Sequence, residues 1–288
     1  KGGEWMPHFG LAMISAQQGD LDKALDRLSR GEKKKGMDEG EDLYNYGMGY
    51  VLAKKGDQDQ AIQHALKAFS MNPNDPDYAN LVAEIYSAQG SATLAISAFE
   101  TARAQPGFKP TAVGSHTLGV LYEGVKRYND AIEMYAESVQ LDSTYAPGWK
   151  DMGELYLLAK RYDEAAGSYA RYAQINPQDP EGMIGLAQAA LKTKRYAQAL
   201  DAAQRAYNLD STRVETRLTL ARAAFQSNDK DRARAMYATV EDTLKLKAED
   251  YTRLGQLKQD EGDLDGALEQ FETAVRLDST TSDAYYYM

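Results

Sequence analysis

An all-α solenoid of repeated helix–turn–helix units is the fold class this 288-residue sequence predicts, on three observations. Eight alanines recur at 24, 61, 95, 131, 165, 199, 233 and 267, so successive members lie 37, 34, 36, 34, 34, 34 and 34 residues apart. Twelve residues before each one stands a glycine or an alanine. Apolar residues follow a helical period, turn residues arrive about every 12 to 20 residues, and no alternating strand pattern intervenes. A fixed period of this length means that each unit buries its apolar face against its neighbours, not in one central core. Residues 1–288 are therefore expected to form a single elongated domain without a linker.

With the recurrent alanine set at repeat position 20, units start at residues 5, 42, 76, 112, 146, 180, 214 and 248, and each divides into two helices. In the first helix, positions 7 and 8 pair a large residue with a small one: Leu11-Ala12, Met48-Gly49, Val82-Ala83 and Leu118-Gly119, then Met152-Gly153, Leu186-Ala187, Leu220-Ala221 and Leu254-Gly255. The small member is needed where two helices cross closely, because a larger side chain would overpack the crossing at a cost of about 1–3 kcal/mol. A polar turn follows, clearest in Gln18-Gly19-Asp20, Lys55-Gly56-Asp57 and Glu261-Gly262-Asp263, where glycine takes the left-handed conformation that ends a helix. The second helix carries large apolar residues at positions 17 and 24, seven apart on one face, as in Tyr128 with Tyr135, Tyr162 with Tyr169, and Leu264 with Phe271. Units close with Met71-Asn72-Pro73-Asn74, Ile175-Asn176-Pro177-Gln178, or Leu-Asp-Ser-Thr at 141, 209 and 277. Proline and Asp-Ser stop one helix there and cap the next. Three extra residues fall within Lys35–Glu41 and two within Gln105–Pro110, both between units, and both are expected to be longer turns.

By these residues the chain resembles the tetratricopeptide repeat family over residues 5–281. That family pattern has an aromatic at position 4, Leu-Gly/Ala at 7 and 8, Tyr at 11, Ala at 20, Phe/Tyr at 24, Ala at 27 and Pro at 32. The fifth unit matches best, with Trp149, Met152-Gly153, Tyr156, Ala165, Tyr169 and Pro177. The first and seventh depart furthest, with His8 and Arg217 at the aromatic position and Gly36 and Lys245 in place of proline. The resemblance implies a right-handed superhelical solenoid of eight repeats, with a partial ninth at 282–288. It also implies a protein–protein interaction scaffold, not an enzyme.

Composition narrows the partner. Lys and Arg total 33 against 43 Asp and Glu, a formal charge of −10, which repels phosphate and argues against nucleic acid. The run Lys33, Lys34, Lys35 closes a helix, where cations suit the dipole. Cysteine is absent, which removes thiolate metal sites and thiol catalysis and leaves the compartment open. No apolar stretch is long enough for membrane insertion. His8, His64 and His116 fall in three different units, so no metal is expected, and with neither Gly-x-x-x-x-Gly-Lys nor Gly-x-Ser-x-Gly present, no cofactor or catalytic residue is expected either. Half of the 20 tyrosines sit at repeat positions 4, 11, 17 or 24, where the family packs its core.

In this family the first helices line the inner face, which places positions 2, 5, 9 and 12 there. They are Met6, Phe9, Met13 and Ala16, then Leu43, Tyr46, Tyr50 and Ala53, an apolar and aromatic patch. The third and fourth units give Asp77, Asn80, Glu84 and Ser87, then Val113, His116, Val120 and Glu123. The fifth and sixth give Pro147, Lys150, Glu154 and Leu157, then Glu181, Ile184, Gln188 and Leu191. The middle of the groove is thus acidic. One subset of the family grips a C-terminal carboxylate with Lys, Asn and Arg on three successive first helices, and that set is missing here. A protein or peptide partner of apolar or basic character fits better, with aromatics anchored on Phe9, Tyr46 and Tyr50 and cations facing Asp77, Glu84 and Glu154. Two other readings remain open. Tyr285, Tyr286, Tyr287 and Met288 begin a ninth first helix and could receive the Met6/Phe9 end of another copy, giving end-to-end self-association. The repeats could also be an accessory region of a larger multidomain protein.

Overall fold

The computed structural model describes residues 4–34, 37–240, 246–280 and 282–287. Among these there are seventeen α-helices, one short 3₁₀ turn and no strand. The chain divides into two compact units, Lys1–Gly148 and Trp149–Met288. The first holds α1 (Met6–Gln17), α2 (Leu21–Glu32), the 3₁₀ turn Met37–Gly40, α3 (Glu41–Lys55), α4 (Gln58–Met71), α5 (Pro76–Ala88), α6 (Ala92–Arg103), α7 (Ala112–Gly124) and α8 (Tyr128–Leu141). The second takes up in α9 (Ala146–Leu158) and continues through α10 (Tyr162–Ile175), α11 (Glu181–Lys192), α12 (Tyr196–Leu209), α13 (Val214–Gln226), α14 (Lys230–Ala238), α15 (Ala248–Asp260), α16 (Leu264–Leu277) and α17 (Ser282–Tyr287). Odd-numbered helices are the first helices of the repeats and even-numbered ones the second, so in each unit helix pairs stack in a solenoid.

Seven of the eight recurrent alanines are 0% exposed and Ala267 is 3% exposed, which explains why no larger residue stands there. The small residue at position 8 has a more specific cause. A Cβ on Gly119 would lie 2.5 Å from the Tyr135 ring, one on Gly255 2.4 Å from Phe271, and one on Gly153 3.0 Å from Tyr169. Those rings all stand at position 24 of the same repeat, so the glycine is the slot that the second helix's aromatic fills. In the second repeat position 24 is Ala65, and a Cβ on Gly49 would instead lie 3.2 and 3.1 Å from the backbone of Ala61 and Ala65. The two helices there approach backbone to backbone.

Position 15 is left-handed in all eight repeats. Gly19, Gly56, Gly90 and Gly262 carry φ of +83, +91, +67 and +83°, as the Gly-Asp turns lead one to expect. Lys126, Lys160, Lys194 and Asn228 hold the same conformation at +62, +59, +59 and +62°, where a Cβ costs about 1–2 kcal/mol. The next residue differs too. Asp20, Asp57, Asp229 and Asp263 cap the second helix by accepting from the backbone N–H three residues on. Arg127, Arg161 and Arg195 make no such cap. Arg127 and Arg161 instead lie over Tyr122 and Tyr156, 4.4 and 4.5 Å from the ring centroids.

Described residues of both inter-repeat insertions make packing contacts. The Trp5 ring lies so close to Gly40 that a Cβ there would overlap it, and Trp5 is 3% exposed. At the second insertion the Lys109 backbone N–H donates to Asn74 Oδ1 at 2.7 Å, and Phe108 lies beneath the Arg103 guanidinium at 5.8 Å. Arg103 also donates twice to Glu137, at 2.8 and 3.0 Å, and Glu137 accepts from Ser115 at 2.7 Å, which ties α6, α7 and α8 together.

Candidate functional site

In the first unit, α3 and α5 carry most of the residues expected to face a partner. Tyr46 and Tyr50 are one turn apart on α3, and their rings stack with centroids 6.2 Å apart. Tyr46 also stacks on Tyr78 of α5 at 5.2 Å. Tyr78 is buried and its hydroxyl donates to Asp42 at 3.1 Å, so it is a fixed backing for the half-exposed Tyr46 ring. Burial pushes the Tyr46 hydroxyl up to about 12, helped by the negative charge of Asp77 and, more weakly, by Tyr50, Asp75 and Glu84. The ring thus sits in a field of carboxylates.

Tyr50 and Glu84 line one depression of ≈ 420 Å³, together with Ala53, Lys54, Gln58 and Leu81. The Lys54 ammonium lies 5.0 Å from the centre of the Tyr50 ring. Gln58, Leu81 and Lys54 were missed by a reading confined to positions 2, 5, 9 and 12, because they stand at positions 17, 6 and 13. Their signal is adjacency: the depression lies where the end of α3 and the start of α4 meet α5. Asp77 is exposed, and Asn80 accepts a hydrogen bond from the Thr117 hydroxyl of α7.

Other candidates are drawn into packing. Phe9 is half-buried, edge-on to Trp5 at 6.1 Å, and a Cβ on Gly47 would lie 3.1 Å from its ring, so it belongs to the core between α1 and α3. Met13 and Leu43 are half-buried, while Met6 is exposed. His116 lies between Tyr135 and Tyr145, each with its ring centroid 5.3 Å away, and its Nδ1 is 3.4 Å from the Tyr145 hydroxyl. In the second unit Lys150 pairs with Glu154 on its own helix at 3.5 Å. Burial raises the Glu154 carboxyl, opposed by Lys150 and reinforced by Asp151 and Glu181. Tyr285 and Tyr286 are 54% and 83% exposed on α17, whereas Tyr287 stacks on Phe271 at 5.9 Å. Met288 lies outside the described residues. Among the described residues, no group of three His, Asp or Glu side chains is placed to hold a metal ion, and no helix is long and apolar enough to cross a membrane.

Models of the tetratricopeptide repeat match residues 5–30, 46–108, 124–181, 157–203, 190–254 and 249–281. The chain belongs to the tetratricopeptide repeat family. No curated protein sequence is a significant match. Solved tetratricopeptide repeat structures are similar in fold. A tetratricopeptide repeat protein from Parabacteroides merdae is 16% identical with a TM-score of 0.55, over 86% of this chain and 97% of its own. PilF of Pseudomonas aeruginosa is 19% identical with a TM-score of 0.57, over 88% and 98%. YrrB, described as a tetratricopeptide repeat protein with an unusual peptide-binding site, is 20% identical with a TM-score of 0.50, over 68% and 96%. Tetratricopeptide repeats are in general non-catalytic scaffolds for protein or peptide partners.

Proposed function

We propose that this tetratricopeptide repeat protein is a scaffold whose first unit binds an apolar or basic peptide segment of a partner protein, with no catalytic role of its own. The observation that carries this reading is the shared depression of Tyr50 and Glu84, where an aromatic face and a carboxylate meet in one concavity. An aromatic or aliphatic side chain of the ligand packs on Tyr50 and Tyr46, and a lysine or arginine one or two residues along faces Glu84 and Asp77. The chemistry differs from the carboxylate-gripping subset of the family, because Glu84 and Asp77 here outnumber the single cation Lys54. A fold shared with a peptide-binding protein such as YrrB is consistent with it. The unchanged 34-residue period from 131 to 267 supports treating residues 1–288 as one solenoid domain.

The test is fluorescence anisotropy with a labelled peptide of alternating lysine and phenylalanine. Tyr50→Ala and Glu84→Lys are each expected to weaken binding about tenfold or more, as for anchor residues of small interfaces. Wild-type affinity in both variants would remove the site from α3 and α5. A second reading is favoured by the exposure of Tyr285 and Tyr286: end-to-end association of copies through α17. Light scattering over a range of about 1–100 μM decides it, since a micromolar contact would change the mass within that range.

A further inference from the structure

The second unit contains a groove of ≈ 540 Å³ that neither Lys150 nor Glu154 lines. Its floor is apolar, formed by Leu157 and Leu191. Its rim carries Lys160, Lys192, Lys194 and Lys247, and its wall Arg222 and Arg253, against a single carboxylate, Glu249.

Asp250, 0% exposed, holds that wall in place. Arg222 donates to both of its carboxylate oxygens at 2.8 and 2.6 Å, Arg253 donates at 3.0 Å, and the Tyr237 hydroxyl and the Lys247 backbone N–H each donate at 3.0 Å. Arg253 lies 3.7 Å from Glu249 as well. The two arginines and two carboxylates therefore balance, and the arginines are fixed donors, not mobile charges. The four lysines are left over, with no ion pair among the described residues. In a chain of formal charge −10, a local excess of four cations around an apolar floor runs against the sign of the whole molecule.

The sequence builds this arrangement twice. Residues 157–162 read Leu-Leu-Ala-Lys-Arg-Tyr and residues 191–196 read Leu-Lys-Thr-Lys-Arg-Tyr, one repeat apart. Each brings a leucine to the floor, a lysine to the rim and a tyrosine, Tyr162 or Tyr196, to the lining. Both lysines are held at φ +59°, where four other repeats use glycine. Strained residues persist where surrounding structure or function keeps them.

We propose that this groove is a second binding site, opposite in charge to the first, for an acidic peptide segment of a partner protein. Neighbouring helices pack about 8–10 Å apart, and a polyproline II chain advances about 3.1 Å per residue with three residues per turn, so carboxylates three residues apart share a face and match the two lysine rungs. An apolar side chain between them rests on Leu157 and Leu191. The site is distinct from a three-helix carboxylate grip, since Lys160 and Lys194 come from the turns inside repeats.

The experiment is fluorescence anisotropy with a labelled nonapeptide bearing glutamate at every third position and leucine between, beside a counterpart with glutamine for glutamate. The variant is Lys160→Gly with Lys194→Gly, which removes two rim charges and supplies the residue that the backbone conformation favours. Binding of the acidic peptide is expected to weaken about tenfold in the variant and to fall further in about 0.5 M salt, while Tyr50→Ala leaves it unchanged. The proposal is overturned if the variant binds as the wild type does, or if the glutamine peptide binds equally well. It is also overturned if Tyr50→Ala abolishes binding, which would assign the peptide to the first unit, or if the patch proves to be occupied by a second copy, read as concentration-dependent mass lost in the lysine variant. Failure of the basic-peptide site leaves these outcomes untouched, because it is read with a different probe and different variants.

Discussion

Alanine at position 255 is expected to destabilise the chain although alanine is the better helix former. Its Cβ would lie 2.4, 2.6 and 2.8 Å from three atoms of the Phe271 ring, against a comfortable carbon–carbon separation of about 3.5–4.0 Å. Phe271 is 2% exposed and has Tyr287 stacked on it, so the ring must retreat by about 1 Å into packed surroundings. Overpacking of that kind costs about 2–3 kcal/mol, and the propensity gain of Ala over Gly returns about 1 kcal/mol. The net loss is about 1–2 kcal/mol. Gly167 in α10 is the control: nothing lies within 4 Å of the site of its Cβ, so the same substitution gains about 1 kcal/mol. Gly153, with the Tyr169 ring 3.0 Å away, falls between them. Urea denaturation followed by far-ultraviolet circular dichroism ranks the three, with midpoints compared directly because stacked repeats need not unfold in one step. A Gly255→Ala midpoint at or above that of Gly167→Ala would show that position 8 is not small in order to admit the ring at position 24.

The turns provide a second comparison. Gly56→Ala, at φ +91°, is expected to lose about 1 kcal/mol, whereas Lys126→Gly relieves a similar strain, offset by the extra freedom glycine has when unfolded, and gains a few tenths; thermal melts measure both. Alkaline titration provides a third. Burial, reinforced by Glu32, Asp77, Glu100 and Asp179 respectively, raises Tyr44, Tyr46, Tyr122 and Tyr172 to about 12. Unfolded tyrosines ionise near 10, so between about 10 and 12 the unfolded chain releases protons that the folded chain retains, and stability falls as pH rises through that window. Spectrophotometric titration should show these tyrosines ionising only as the circular dichroism signal of helix is lost.

The framework was legible because its causes are steric and recur: an alanine that cannot grow, a small residue facing a ring, a turn that ends a helix. What stayed hidden depends on neighbours that the period does not name. Phe9 stands on the stripe expected to face a partner, yet Gly47 opens a place for its ring in the core. His116 is taken up by two tyrosines, one from α8 and one from the loop after it. The Lys-Arg turns of the fourth to sixth repeats look like ordinary polar turns, and only the backbone reveals that their lysines adopt a glycine conformation. The cationic groove escaped because a formal charge of −10 averages over the chain and because its rim lysines stand at positions 13, 15 and 34, off the first-helix stripe. Of its cations Arg222 alone lies on that stripe, at position 9 of the seventh repeat.

Hydrogen–deuterium exchange with and without the lysine–phenylalanine peptide is the sharpest check on the proposed scaffold site, because it reports where a ligand sits without presuming which residues hold it. At saturation, slowed exchange is expected to be confined to the C-terminal half of α3, the start of α4 and α5, the segments that carry Tyr50, Gln58 and Glu84 around their shared depression. Protection spread over second helices beyond the start of α4, or no protection at a concentration where anisotropy shows the peptide bound, would contradict a ligand seated between α3 and α5.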